Sequence, residues 1–127
     1  MASSQKTNVS WLSAVEEHDY PAAESYLRLL YADAVSAATV QKLRHAAMTE
    51  FKAKDIFRAS QLSLLGVSNT HVGKDRDKIE KGVLLSPLLL VRDEAHSRLV
   101  VADGYHRLCA VYAVDEDALI QCKIVSI

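Results

Sequence analysis

What most constrains this chain is an apolar run that ends at a glycine as a strand and restarts as a helix: Leu99-Val-Val-Ala-Asp103-Gly104-Tyr105-His106-Arg107-Leu-Cys-Ala-Val-Tyr112. Leu99 to Ala102 are continuously apolar and include the β-branched pair Val100 and Val101, the mark of a buried strand. Gly104 allows a tight turn. Leu108, Val111 and Tyr112 then recur at helical spacing. Polar groups gather where the two elements meet. Asp103 leaves the strand end, while Tyr105, His106 and Arg107 occupy the first helical turn. Backbone N–H groups without a helical partner and the positive end of the helix dipole favour a bound anion there.

Two readings of this junction compete. In one, Asp103 caps the helix, Arg107 is a solvated charge and His106 fills space, an ordinary arrangement at helix starts. In the other, a carboxylate, an imidazole and a guanidinium projected from one turn make a phosphate site with an acid or base beside it.

The rest of the chain narrows the function classes. With 127 residues, 50% of them hydrophobic, there is material for one globular domain and not for two. Fifteen Lys and Arg against sixteen Asp and Glu leave a formal charge of −1, which calls for neither a nucleic-acid partner nor an anionic membrane. No apolar run approaches the roughly 20 residues that span a bilayer, and the start Met-Ala-Ser-Ser-Gln-Lys lacks the apolar core of a signal peptide, so a cytoplasmic location is expected. Cys109 and Cys122 form no Cys-x-x-Cys pair and read as buried thiols. The five histidines, His18, His45, His71, His96 and His106, include no i, i+4 pair and no His-x-His, so no metal ligand is assigned.

In chain order, residues 1 to about 9 are polar and expected to fray. Trp11, Leu12 and Val15 after Ser10 predict a short helix. Asp19-Tyr20-Pro21 opens a second, with Ala23, Tyr26, Leu27, Leu30 and Tyr31 as its apolar stripe. A third runs from Ser36 with Val40, Leu43 and Ala47 inward. Thr49 to Ala53 alternates like a strand with one buried face, and Ile56 to Ala59 suits a single helical turn. Ser63 to Gly73 reads as a long polar loop, and Asp75 to Lys81 as a short charged helix stopped by Gly82. Leu88 to Val91 after Pro87 is a strand that turns through Arg92 to Ser97 into Leu99 to Ala102. Leu119 to Val125 is the last strand.

The string Ser86-Pro-Leu-Leu-Leu-Val91, then Leu99-Val-Val-Ala-Asp-Gly-Tyr-His-Arg107, a helix, and Ile120-Gln-Cys-Lys-Ile-Val125 resembles the ParB/sulfiredoxin superfamily over residues 49–127. The resemblance implies nucleotide or phosphate binding at this helix start, with Gly104, His106 and Arg107 around the phosphate oxygens. Tyr105 stands where sulfiredoxins carry their catalytic cysteine, and Cys109 lies one turn beyond, so sulfinic-acid reduction is not expected. Partition proteins of the superfamily carry a Gly-Glu-Arg-Arg-type motif that is absent here. No second carboxylate stands at a recognisable metal-binding spacing from Asp103, so a nuclease is not expected either. Asp103, Gly104 and Arg107 are most similar to the branch that phosphorylates a small hydroxyl substrate, such as the free-serine kinases, although Tyr105 replaces that branch's first histidine.

The expected protein is therefore a small cytoplasmic α+β molecule: residues 1–48 form a helical extension packed on residues 49–127, a ParB/sulfiredoxin-like mixed sheet with flanking helices. Its expected ligand is ATP, another nucleotide or a small phosphate-bearing compound held by Gly104, Tyr105, His106 and Arg107. Phosphoryl transfer would use Asp103 as base or as partner of Mg2+. Lys54 with Asp55, and the loop Ser68-Asn-Thr-His71 with Lys74, are second-rank candidates, each weighed against an ordinary solvated charge. The alternative is a non-catalytic regulatory module that docks partners through the N-terminal helices, with Tyr20, Tyr26 and Tyr31 as anchors; a homodimer would use the same helices.

Overall fold

The computed structural model describes residues 8–66 and 69–127, so the expectations for residues 1–7 and for Ser68 lie outside the described residues. Among those described, five α-helices flank a mixed four-stranded sheet, an α+β arrangement. The elements are α1 (Asp19–Leu27), α2 (Asp33–His45), β1 (Thr49–Lys52), α3 (Ala53–Ser60), α4 (Thr70–Glu80), β2 (Leu88–Asp93), β3 (Arg98–Asp103), α5 (Tyr105–Val114) and β4 (Leu119–Ser126). The strand order is β1-β4-β2-β3, with β4 parallel to β2 and the other pairs antiparallel.

The alternation of β2 explains both layers of the core. Leu88 and Leu90 join Ile56, Phe57, Val72, Ile79, Leu108 and Val111 from α3, α4 and α5 on one face of the sheet. Leu89 and Val91 meet Tyr20, Ala23 and Leu27 of α1 and Val40 and Leu43 of α2 on the other. A strand covered on both sides has no reason to alternate polar and apolar residues, hence the unbroken Leu-Leu-Leu-Val. Residues 15–43 thus supply one whole layer of packing, and truncating Leu27 or Leu43, both fully buried, would cost about 2–5 kcal/mol each.

Several local expectations are corrected. The segment after Ser10 is extended, not helical: Trp11 bridges Leu85, Leu12 N–H donates to the Leu85 carbonyl and Leu85 N–H donates to the Ser10 carbonyl. These bonds satisfy the backbone as well as one helical turn would. Tyr26 and Leu30 are exposed, and Ala47 lies beyond the end of α2 and is exposed too. Strand β1 is a largely exposed edge that stops at Lys52, and the single turn expected at Ile56 to Ala59 is the eight-residue α3. The long loop is shorter than its composition suggests. Asn69 accepts from the N–H groups of His71 and Val72, so α4 starts at Thr70 and runs through Gly73. Burial of Val72 and Ile79 offsets the roughly 1 kcal/mol that a mid-helix glycine costs. Gly82, at φ +73°, closes α4 as expected; its N–H donates to Ile79 and that of Val83 to Lys78, the paired bonds of a Schellman end. No helix among the described residues is long and apolar enough to cross a membrane.

Candidate functional site

The turn between β3 and α5 is built around Gly104, at φ +106°. A Cβ there would sit 2.6 Å from Leu88 Cγ and 2.9 Å from Arg107 Nη2, so the backbone can pass over the central strand only because the side chain is absent. Helix α5 has no side-chain cap. Its first internal bond runs from Leu108 N–H to the Gly104 carbonyl. The N–H groups of Tyr105, His106 and Arg107 precede that bond and have no carbonyl within α5 to reach.

Helix α4 packs alongside α5 and completes a cavity of about 230 Å³ lined by His71, Lys74, Asp75, Lys78 and residues 103–107. The rings of His71 and His106 lie 4.9 Å apart, and that of Tyr105 is 5.5 Å from His106. Tyr105 donates its hydroxyl to the Ser63 carbonyl, which ties the loop before α4 to the cavity. Burial raises the Asp75 carboxyl above the ordinary carboxylate range against the opposing pull of Lys78 and Arg107.

The floor is an ion cluster. Arg107 Nη2 donates to Asp103 Oδ2 at 3.0 Å and to Asp19 Oδ2 at 3.4 Å. Asp19 is 3% exposed and opens α1, where the helix dipole favours negative charge. It also accepts from Ser86 Oγ at 2.6 Å, and Ser86 in turn accepts from Glu16 N–H at 3.0 Å. His18 Nε2 approaches the other Asp19 oxygen at 3.2 Å. Burial raises the Asp103 carboxyl, Arg107 opposes that shift, and the nearby Asp19 adds to it. Asp103 therefore engages Arg107, where the capping reading would have it serve the α5 amides. The Arg107 Nε is buried without a partner.

Asp103, Gly104, Tyr105, His106, Arg107, His71 and Lys74 thus share one cavity, the last two from a helix where a loop was expected. Lys54 does not. It is the second residue of α3, its Nζ pairs with Asp117 at 2.7 Å, and that contact raises its pKa above the ordinary lysine value. Asp55 pairs with Arg58. Sequence reading misses Asp75 and Lys78, which read only as part of a short charged helix, and Asp19, which reads only as a helix start. The second carboxylate absent from the sequence around Asp103 arrives from α1. Among the described residues no group of three or more His, Cys, Asp or Glu is arranged to hold a metal ion.

No family model, curated protein or solved structure matches this chain.

Both cysteines are fully buried, Cys109 in α5 and Cys122 in β4, and burial pushes the thiols up, Cys122 to about 12. Thiolate is the reactive form, so neither should react with a disulfide reagent at neutral pH until denaturant is added. Rapid labelling of the folded protein would contradict this burial.

Proposed function

We propose that the cavity between α4 and α5 is a phosphate site in a ParB/sulfiredoxin-like protein, and that it takes the phosphate chain of a nucleotide. The observation that carries this reading is convergence: an uncapped α5 start, Lys74, Lys78, His71 and His106 surround one polar cavity. The amides and the lysines would bind phosphate oxygens by charge-assisted hydrogen bonds. At about 230 Å³ the cavity is smaller than the roughly 300–1,000 Å³ that encloses drug-sized ligands, so the base of a nucleotide would lie outside it. Mg2+ would arrive on the phosphates, since the described residues offer no cluster of ligands for it.

If the protein is a phosphotransferase, the oxygen of a small hydroxyl substrate bonds to phosphorus as the bridging P–O bond breaks; Asp103 is the cavity carboxyl to hold that hydroxyl by a hydrogen bond, and the hydroxyl proton leaves on the transferred phosphoryl group. The regulatory-module alternative draws support from Arg107, whose charge is engaged by two aspartates rather than free for a ligand.

Calorimetry with ATP and with inorganic pyrophosphate tests the site. Replacing Lys74 and Lys78 together by alanine should weaken binding roughly ten- to hundredfold, the value of one to two charge-assisted contacts. Failure of the parent protein to bind either ligand would remove the reading. Release of ADP that depends on an added hydroxylated metabolite would decide for the enzyme over the module.

A further inference from the structure

The ion cluster under the cavity holds two carboxylates on one guanidinium nitrogen, at 3.0 and 3.4 Å. Asp103 Oδ2 and Asp19 Oδ2 therefore cannot be further apart than those two bonds laid end to end. Their side chains are 19% and 5% exposed, so water screens them little. Two negative charges against one positive leave this floor with an excess negative charge directly beneath a cavity otherwise suited to an anion. Desolvated like charges so close favour taking up one proton between them.

We propose that Asp19 is a positioning residue of this site: by sharing Arg107 with Asp103 it makes Asp103 the carboxyl that takes up a proton when an anion enters the cavity. The second half rests on the phosphate reading above; the first does not. Asp19 is held away from the cavity: it opens α1, accepts the short Ser86 hydrogen bond and has His18 against its second oxygen. Asp103 has Arg107 as its partner, faces the cavity and is raised by burial and by Asp19. A proton on Asp103 cancels the excess charge and leaves Arg107 balanced by Asp19 alone. Anion affinity should then fall as pH rises through the Asp103 titration.

The other groups around the pair set what the test must separate. From α5 these are His106 and Arg107 itself, and His18 precedes Asp19. From α4 they are His71, Lys74, Asp75 and Lys78. Protonation of the histidines also favours an anion, so a pH profile of the parent alone is insufficient. Asp19→Asn keeps an oxygen for Ser86, removes the charge and leaves every histidine in place.

Two measurements decide. Carboxyl carbon NMR of the ligand-free protein should show Asp103 titrating above the ordinary carboxylate range, in a two-step curve that also reports Asp19; in Asp19→Asn the curve should become single-step and move down. Calorimetry with inorganic pyrophosphate, in buffers of different ionisation enthalpy, should show proton uptake by the parent. Asp19→Asn should take up fewer protons and bind about tenfold more tightly at neutral pH, as expected for loss of one close charge. If Asp19→Asn does not fold, the two-step curve of the parent stands as the test by itself. Independent single-step titrations of Asp19 and Asp103, or an Asp19→Asn variant with the parent's affinity and proton uptake, overturn the inference. Absence of pyrophosphate binding by the parent overturns the phosphate reading and the uptake that depends on it, while the NMR titration still decides whether Asp19 governs Asp103.

Discussion

Gly104→Ala is expected to destabilise the protein by about 3 kcal/mol and to dismantle the cavity with it. Two effects add. At φ +106° any side chain strains the backbone, at a cost of order 1–3 kcal/mol. The new methyl would also have to fit 2.6 Å from Leu88 Cγ and 2.9 Å from Arg107 Nη2. Leu88 is fully buried in the central strand and has nowhere to go, so overpacking contributes about 1–3 kcal/mol more. Arg107 can move, but only away from Asp103 and Asp19, which frees the ion cluster. The control is Gly82→Ala, where φ is also positive but nothing lies within 4 Å of the added atom. Only backbone strain operates there, and about 1 kcal/mol is expected. Urea unfolding of both variants checks the difference; equal losses would mean that the Leu88 contact is relieved at no cost.

The parts of this fold that were legible in the sequence are those written in local pattern. The strand-glycine-helix junction at residues 99–112, the Leu88-Leu-Leu-Val91 strand and the Gly82 stop could be read because periodicity and backbone permission are properties of neighbouring residues. Two kinds of feature escaped. Helix α4 was obscured by a glycine at position 73 and a polar start; its existence rests on Val72 and Ile79 reaching a core contributed by other elements. The segment from Ser10 to Leu12 carries a helix-like apolar spacing, yet it pairs with Leu85, more than seventy residues away. The site divides the same way. Residues 103–107 announce themselves, and His71 and Lys74 were suspected from an unusual loop. Asp19 lies 88 positions from Arg107 and nothing beside it in the chain signals the pairing. It enters the site because α1 packs on β3, a tertiary fact.

Arg107→Ala is expected to lower stability by about 3 kcal/mol at neutral pH and to abolish most of that loss in acid. The Arg107 side chain is 18% exposed and its guanidinium lies between the carboxylates of side chains that are 19% and 5% exposed. Removing it leaves two buried, mutually repelling acids, the situation in which breaking an ion pair costs about 3–5 kcal/mol; residual exposure puts this case at the lower end. The pH dependence follows from Asp103. Its folded pKa is raised above the unfolded value, so its contribution is fully present below the ordinary carboxylate pKa and is lost as pH rises through the folded pKa. Arg107 is the influence that holds that folded value down. Without it the value rises further, and the variant's deficit grows from acid pH upward until both acids are ionised. The aliphatic part of Arg107 also packs, and its loss adds a smaller deficit independent of pH. Denaturant unfolding of parent and variant across the acid to neutral range separates the two components. Adding Asp19→Asn to Arg107→Ala should restore part of the neutral-pH loss, a non-additivity of about 0.5–3 kcal/mol, because one of the repelling charges is gone. A deficit that is constant with pH and additive with Asp19→Asn would mean that Arg107 acts here through packing alone.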